Sequence, residues 1–80
     1  MTTEADLQLY RDTTICRIAG QVKVITDLNK KVEKYIDKGA LKSARNLAPS
    51  VTKAAEKLNR MLDEFEKEVE RLECELLDAD

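Results

Sequence analysis

From Val51 to Leu76, apolar residues return at alternating steps of four and three without an error: Val51, Ala55, Leu58, Leu62, Phe65, Val69, Leu72, Leu76. Lettered as heptads, Ala55, Leu62, Val69 and Leu76 are a positions, and Val51, Leu58, Phe65 and Leu72 are d positions. A strand would alternate at every second residue, so this period specifies a helix that presents an apolar seam to other helices. Mostly Lys, Arg, Glu and Asp stand between the seam residues. Asp63 with Lys67 and Glu56 with Arg60 have the acid-first i,i+4 order, which supports a helix by roughly 0.3 kcal/mol per pair. Ser50 is placed to cap the start, its hydroxyl accepting from free N–H groups of the first turn. The spacing predicts a helix over about 50–77.

The first half carries the same period with weaker local preference. Ile15, Ile18, Val22, Ile25, Val32 and Ile36 take a and d positions, with Asn29 at the remaining a. Thr13, Thr14, Val22, Val24 and Thr26 are β-branched, and Gly20 costs about 1 kcal/mol relative to Ala in a helix interior. The segment QVKVIT (21–26) alternates like a strand, but a single strand would find no partner in this chain. Thr3 caps the start and Asp6 suits the positive end of the helix dipole. Gly39 stands where a left-handed residue would end the helix. The expected span is about 3–38, held by packing more than by propensity.

Gly39 and Pro49 punctuate the stretch DKGALKSARNLAPSVT (37–52). Proline inside a helix removes a hydrogen bond and costs about 3 kcal/mol. Leu41, Ala44 and Ala48 already keep the phase of the second helix. A short helical turn over about 40–47 is therefore predicted, then a break at Pro49 and the main helix. The heptad phase slips across Gly39, so the stretch is read as a bend. The fold class is all-α: a single domain over 1–80, a long helical hairpin of the antiparallel coiled-coil type.

Leu28, Tyr35, Ala54 and Met61 fall at g and widen the apolar stripe to a, d and g. That is the width bundle helices show, so two hairpins are expected to pair into a four-helix bundle. If residues pair about the predicted bend, Val32 meets Leu58, Ile25 meets Phe65 and Ile18 meets Leu72. Cys16 and Cys74 then lie at one level, at outer positions that do not favour a disulfide. Asn29 has three readings: a register-setting hydrogen bond across a seam, pairing with Asn59, or a residue facing water.

Composition limits what else the chain can be. Eighty residues with no Trp, one Phe and two Tyr leave an aliphatic core, and chains this small bury only about 60% of the surface exposed on unfolding. Charged residues are 38% of the chain, against about 25% in ordinary domains. A small core with so much charge usually gains from a partner. There is no His, which excludes Ser-His-Asp and Cys-His catalysis and the Glu-x-x-His metal motif of bundle enzymes. Two Cys without His make no ordinary structural zinc site in one chain. No Gly-rich phosphate loop or calcium loop is present. No enzymatic activity and no cofactor are expected.

No apolar run approaches the roughly 20 residues of a membrane span. Glu4 and Asp6 stand where a targeting leader would carry Lys or Arg. The two Cys read as reduced thiols. A cytoplasmic or nuclear location is expected.

Charge is polarised along the chain. Residues 30–60 hold nine Lys or Arg against three acids, and residues 61–80 hold two against nine. A hairpin gathers the first group at its closed end and leaves the second at its open end. Lys30, Lys31, Lys34, Lys38, Lys42 and Arg45 form a candidate anion-binding tip. Without aromatic interleaving it lacks the stacking groups of single-strand binders.

The hexapeptide RIAGQV (17–22) is similar to the R-I-x-G-Q-V start of the copper- and formaldehyde-responsive repressors, which are four-helix dimers. The similarity covers six residues of 80. That family's sensing positions include a Cys further along the bundle and often His; none is matched here, and the family is not assigned.

Three functions follow as expectations. The first is a structural or adaptor subunit assembling with itself or another helical protein through Ile15, Ile18, Val22, Ile25, Leu28, Asn29, Val32, Tyr35 and Ile36 on one helix. On the other helix, Val51, Ala55, Leu58, Met61, Leu62, Phe65, Val69, Leu72 and Leu76 would serve. The second is a regulator binding nucleic acid or anionic lipid through the basic tip. The third is a redox or metal switch at Cys16 and Cys74.

Overall fold

The first helix begins where its capping signal says it should. The Asp6 N–H donates to Thr3 Oγ1 at 3.2 Å, and the Thr3 N–H donates to Asp6 Oδ2 at 3.1 Å. Two of the donors orphaned at a helix start are thereby satisfied reciprocally. From this cap α1 runs Glu4–Asp37, and after a tight turn α2 runs Leu41–Asp78. This computed structural model describes residues 2–78. The two helices lie side by side as an extended hairpin, 63 × 16 × 12 Å.

Gly39 makes the turn. Its φ of 76° is left-handed, a region that costs a residue with a Cβ roughly 1–2 kcal/mol. The Gly39 N–H donates to the Ile36 carbonyl at 3.0 Å and the Ala40 N–H to the Tyr35 carbonyl at 2.8 Å. These two bonds are the Schellman pattern, closing carbonyls that the last turn leaves open. Ala40 immediately starts α2, its carbonyl accepting from the Ala44 N–H at 3.2 Å.

The segment 40–47 is helical, as expected, but no break follows it. Pro49 lies inside α2, and Ser50 is an interior residue of that helix, not its cap. The seam explains the continuity: Ala44 and Leu47 before the proline lie in line with Val51 and Ala54 after it, and all four are buried or half-buried. Pro49 is exposed, as is Arg45 one turn earlier, so water can reach the Arg45 carbonyl that a proline leaves without a donor.

Placing the whole reversal at residues 38–40 resets the pairing. Tyr10, not Ile25, stacks on Phe65, with ring centroids 5.9 Å apart and planes at 18°. Gln21 donates to the Ala54 carbonyl at 2.9 Å, and Arg11 bridges to Glu73 at 2.8 Å. The expected pairings of Ile18 with Leu72 and Val32 with Leu58 do not form either. Counted at 1.5 Å per residue from Gly39, Cys16 and Cys74 sit about 18 Å apart along the axis, too far for a disulfide within one hairpin.

The seam itself is a second departure. In α1 the buried and half-buried residues are Leu7, Tyr10, Arg11, Thr14, Ile18, Gln21, Ile25, Leu28 and Val32. Apart from Tyr10 these are d and g positions, and not a and d. In α2 the d and g residues Ala44, Leu47, Val51, Ala54, Leu58, Met61, Phe65, Glu68 and Leu72 do the same. The hairpin closes on the d and g part of the apolar stripe and leaves most of the a positions outside.

Candidate assembly surface

Two antiparallel helices that share a d/g seam mirror each other across it. Their c positions then fall on one broad side of the hairpin and their a positions on the other. A groove lined by Arg17, Gly20, Gln21, Val24, Lys57, Arg60, Met61 and Glu64 bears this out, since it takes c residues from both helices. The opposite side is where Ile15, Val22 and Ile36 of α1 and Leu41 and Leu62 of α2 lie. Each of the five is exposed, from 44% at Leu62 to 65% at Leu41.

The residues expected at a helix interface therefore divide in two. Ile18, Ile25, Leu28, Val32, Val51, Leu58, Met61, Phe65 and Leu72 pack in the hairpin's own seam. Ile15, Val22, Asn29, Ile36, Ala55 and Leu62 are exposed, and Val69 and Leu76 are half-buried at the edge. Tyr35 is exposed as well and lies among Lys31, Lys34 and Lys38. Asn29 and Asn59 are both exposed and lie at different levels of the hairpin. Of the three readings of Asn29, water exposure is the one that holds within a single chain.

Gln21 went unnoticed in the sequence, hidden in a segment that alternates like a strand. It is the one buried polar residue among those described. Its facing neighbour explains why it fits: the buried Ala54 carries little bulk, so the amide reaches its carbonyl. The small residue Ala54 at a g position of the facing helix was the available signal.

Charge is sorted around the hairpin as well as along it. Arg17, Lys31, Lys34, Lys38, Lys53, Lys57, Arg60 and Lys67 occupy c and f positions opposite the apolar side, and all are exposed. The six residues of the expected tip do not form one patch. Lys31, Lys34 and Lys38 belong to this basic side, whereas Lys30, Lys42 and Arg45 stand at b and e, bordering the apolar side. Near the open end Arg71 engages both Glu68 and Glu75. The Arg71 hydrogen bond holds the Glu68 carboxyl below its ordinary range.

The ends of α2 carry charge opposed to its dipole. Its first turn has no acid and its last turn no base, although anions stabilise a helix start and cations a helix end. In α1 both ends conform, with Glu4 and Asp6 first and Lys34 last. Local helix stability does not account for the charges of α2.

Among the described residues no helix is long and apolar enough to cross a membrane. The chain matches no protein-family model, no curated protein and no solved structure.

Proposed function

We propose that this protein is a non-enzymatic structural or adaptor subunit that assembles inside the cell through the apolar side of its hairpin. The partner is a second copy or another helical protein. One observation carries the reading: the lone hairpin is under-buried. It exposes 6332 Å², whereas a compact protein of 9.1 kDa exposes about 4900 Å². Among the described residues no large side chain is fully buried. The difference, on the order of 1400 Å², is more than the ~800 Å² each partner contributes to a standard interface. Pairing two hairpins through their a positions would make a four-helix bundle with the seam residues at its centre.

Light scattering on the purified chain with reductant tests this. The expected mass is twice 9.1 kDa over a wide concentration range. A helical monomer that stays monomeric when concentrated would exclude self-assembly and leave another helical protein as the partner.

The sorting of eight cations onto one side supports a second reading, a contact with a phosphate-rich polymer or surface. Among the described residues that side shows one exposed large aliphatic residue, Val24, which is too little apolar area for interfacial lipid binding. Duplex nucleic acid suits it better. Affinity for a duplex should then fall steeply with salt as counterions are no longer released. Binding that is absent at low salt would end this reading.

A further inference from the structure

We infer that the second copy lies on the apolar side head to tail, α2 upon α2 and α1 upon α1, with the two-fold axis passing between Ala55 and Leu62. The inference rests on the self-assembly proposed above and adds its orientation and register. Such a dimer is isologous, each contact occurring twice.

Orientation follows from the polarised charge. With both closed ends together, the two-fold would lay each α2 on the partner's α1, bringing Lys42 and Arg45 to the partner's Lys30 and the acidic end of α2 to the partner's Asp12. Head to tail, each basic end meets an acidic one. The placement of charge on α2, adverse to its own dipole, then has a purpose between molecules.

Register follows from side-chain size. An axis between Ala55 and Leu62 sets Ala55 against the partner's Leu62, Ala48 against the partner's Val69, and Leu41 against the partner's Leu76. In two of these three pairs a small residue meets a larger one, and every a position of α2 is covered. Moving the axis half a heptad, onto Ala55 or onto Leu62, leaves Leu76 or Leu41 at one end without a counterpart.

The first helix was not used to choose that axis, and it places apolar residues on either side of it. Because Gln21 bonds to Ala54 and Tyr10 stacks on Phe65, the level of the axis on α1 falls between Ile15 and Val22. Ile15 and Val22 then flank the axis on α1 and add apolar surface to the contact. Beside the axis Asn59 faces its own copy, and Arg45 comes to the partner's Glu73, which Arg11 already holds.

Spin-label distances test the arrangement. With Cys16→Ser and Cys74→Ser as background, both sites being exposed, a label goes on Asn59→Cys in one variant and Lys42→Cys in another. At 1.5 Å per residue and helix separations near 10 Å, labels at 59 should lie within about 20 Å and labels at 42 about 50 Å apart. A dimer with both pairs within about 25 Å would overturn the head-to-tail orientation. A dimer with labels at 59 beyond about 35 Å would overturn the register and leave self-assembly standing. A monomer by light scattering on the same samples would overturn both.

Discussion

Two glycines show how one residue type serves opposite ends. Gly39 sits at φ 76° with open space where a Cβ would be, so its role is backbone conformation and not close approach. Gly20 is also open but has ordinary helical geometry, and there it only forfeits propensity. Gly39→Ala should destabilise the hairpin by about 1–2 kcal/mol, and Gly20→Ala should stabilise it by about 1 kcal/mol. Urea midpoints at one fixed protein concentration will check both, and equal signs would refute this account of the turn. Gly39 was legible in the sequence because its place after a basic last turn marks a helix end. Gln21 was not, because burial of a polar side chain depends on what the facing helix offers.

At the scale of the element, α2 carries two features that work against it. Pro49 removes an interior hydrogen bond in an exposed stretch, so Pro49→Ala should raise stability by up to about 3 kcal/mol. Thermal unfolding followed by circular dichroism measures it; a loss of stability would mean the proline is needed to shape α2. Near the open end, the Arg71 hydrogen bond lowers the Glu68 pKa. A carboxyl lowered on folding contributes stability above its unfolded pKa and loses it as pH falls through the folded value. Carboxyl titration by NMR should find Glu68 below the ordinary glutamate range, and Arg71→Ala should return it there. Pairing on an exposed surface is weak, so α2 should lose little helix when acidified to pH 5.

At the scale of the molecule, the hairpin is long, thin and thinly packed. If a second copy covers its a positions, the melting temperature must rise with protein concentration, since whatever binds only the folded state stabilises it by mass action. Leu62→Glu sets a charge at the middle of the proposed interface and away from the hairpin's own seam. It should yield a monomer whose melting temperature no longer depends on concentration. A dimer that survives the substitution unchanged would place the interface elsewhere.

The sequence by itself determined two helices, their apolar period, the cap at Thr3 and the left-handed residue at Gly39. Each depends on neighbours within a few residues. It also showed that the apolar stripe was wider than one partner helix requires. Only the tertiary structure decided which part of that stripe serves the chain itself. The a, d and g positions span about 120° of each helix, and both the a/d and the d/g pair satisfy the heptad equally well. The turn breaks the tie. By reversing the chain within residues 38–40, the Schellman bonds fix the rotation and level at which α2 returns. Small residues at Ala44 and Ala54 then let the helices close along d and g. A period is a local property of a chain, whereas the choice of face and pairing level is settled where two distant segments meet.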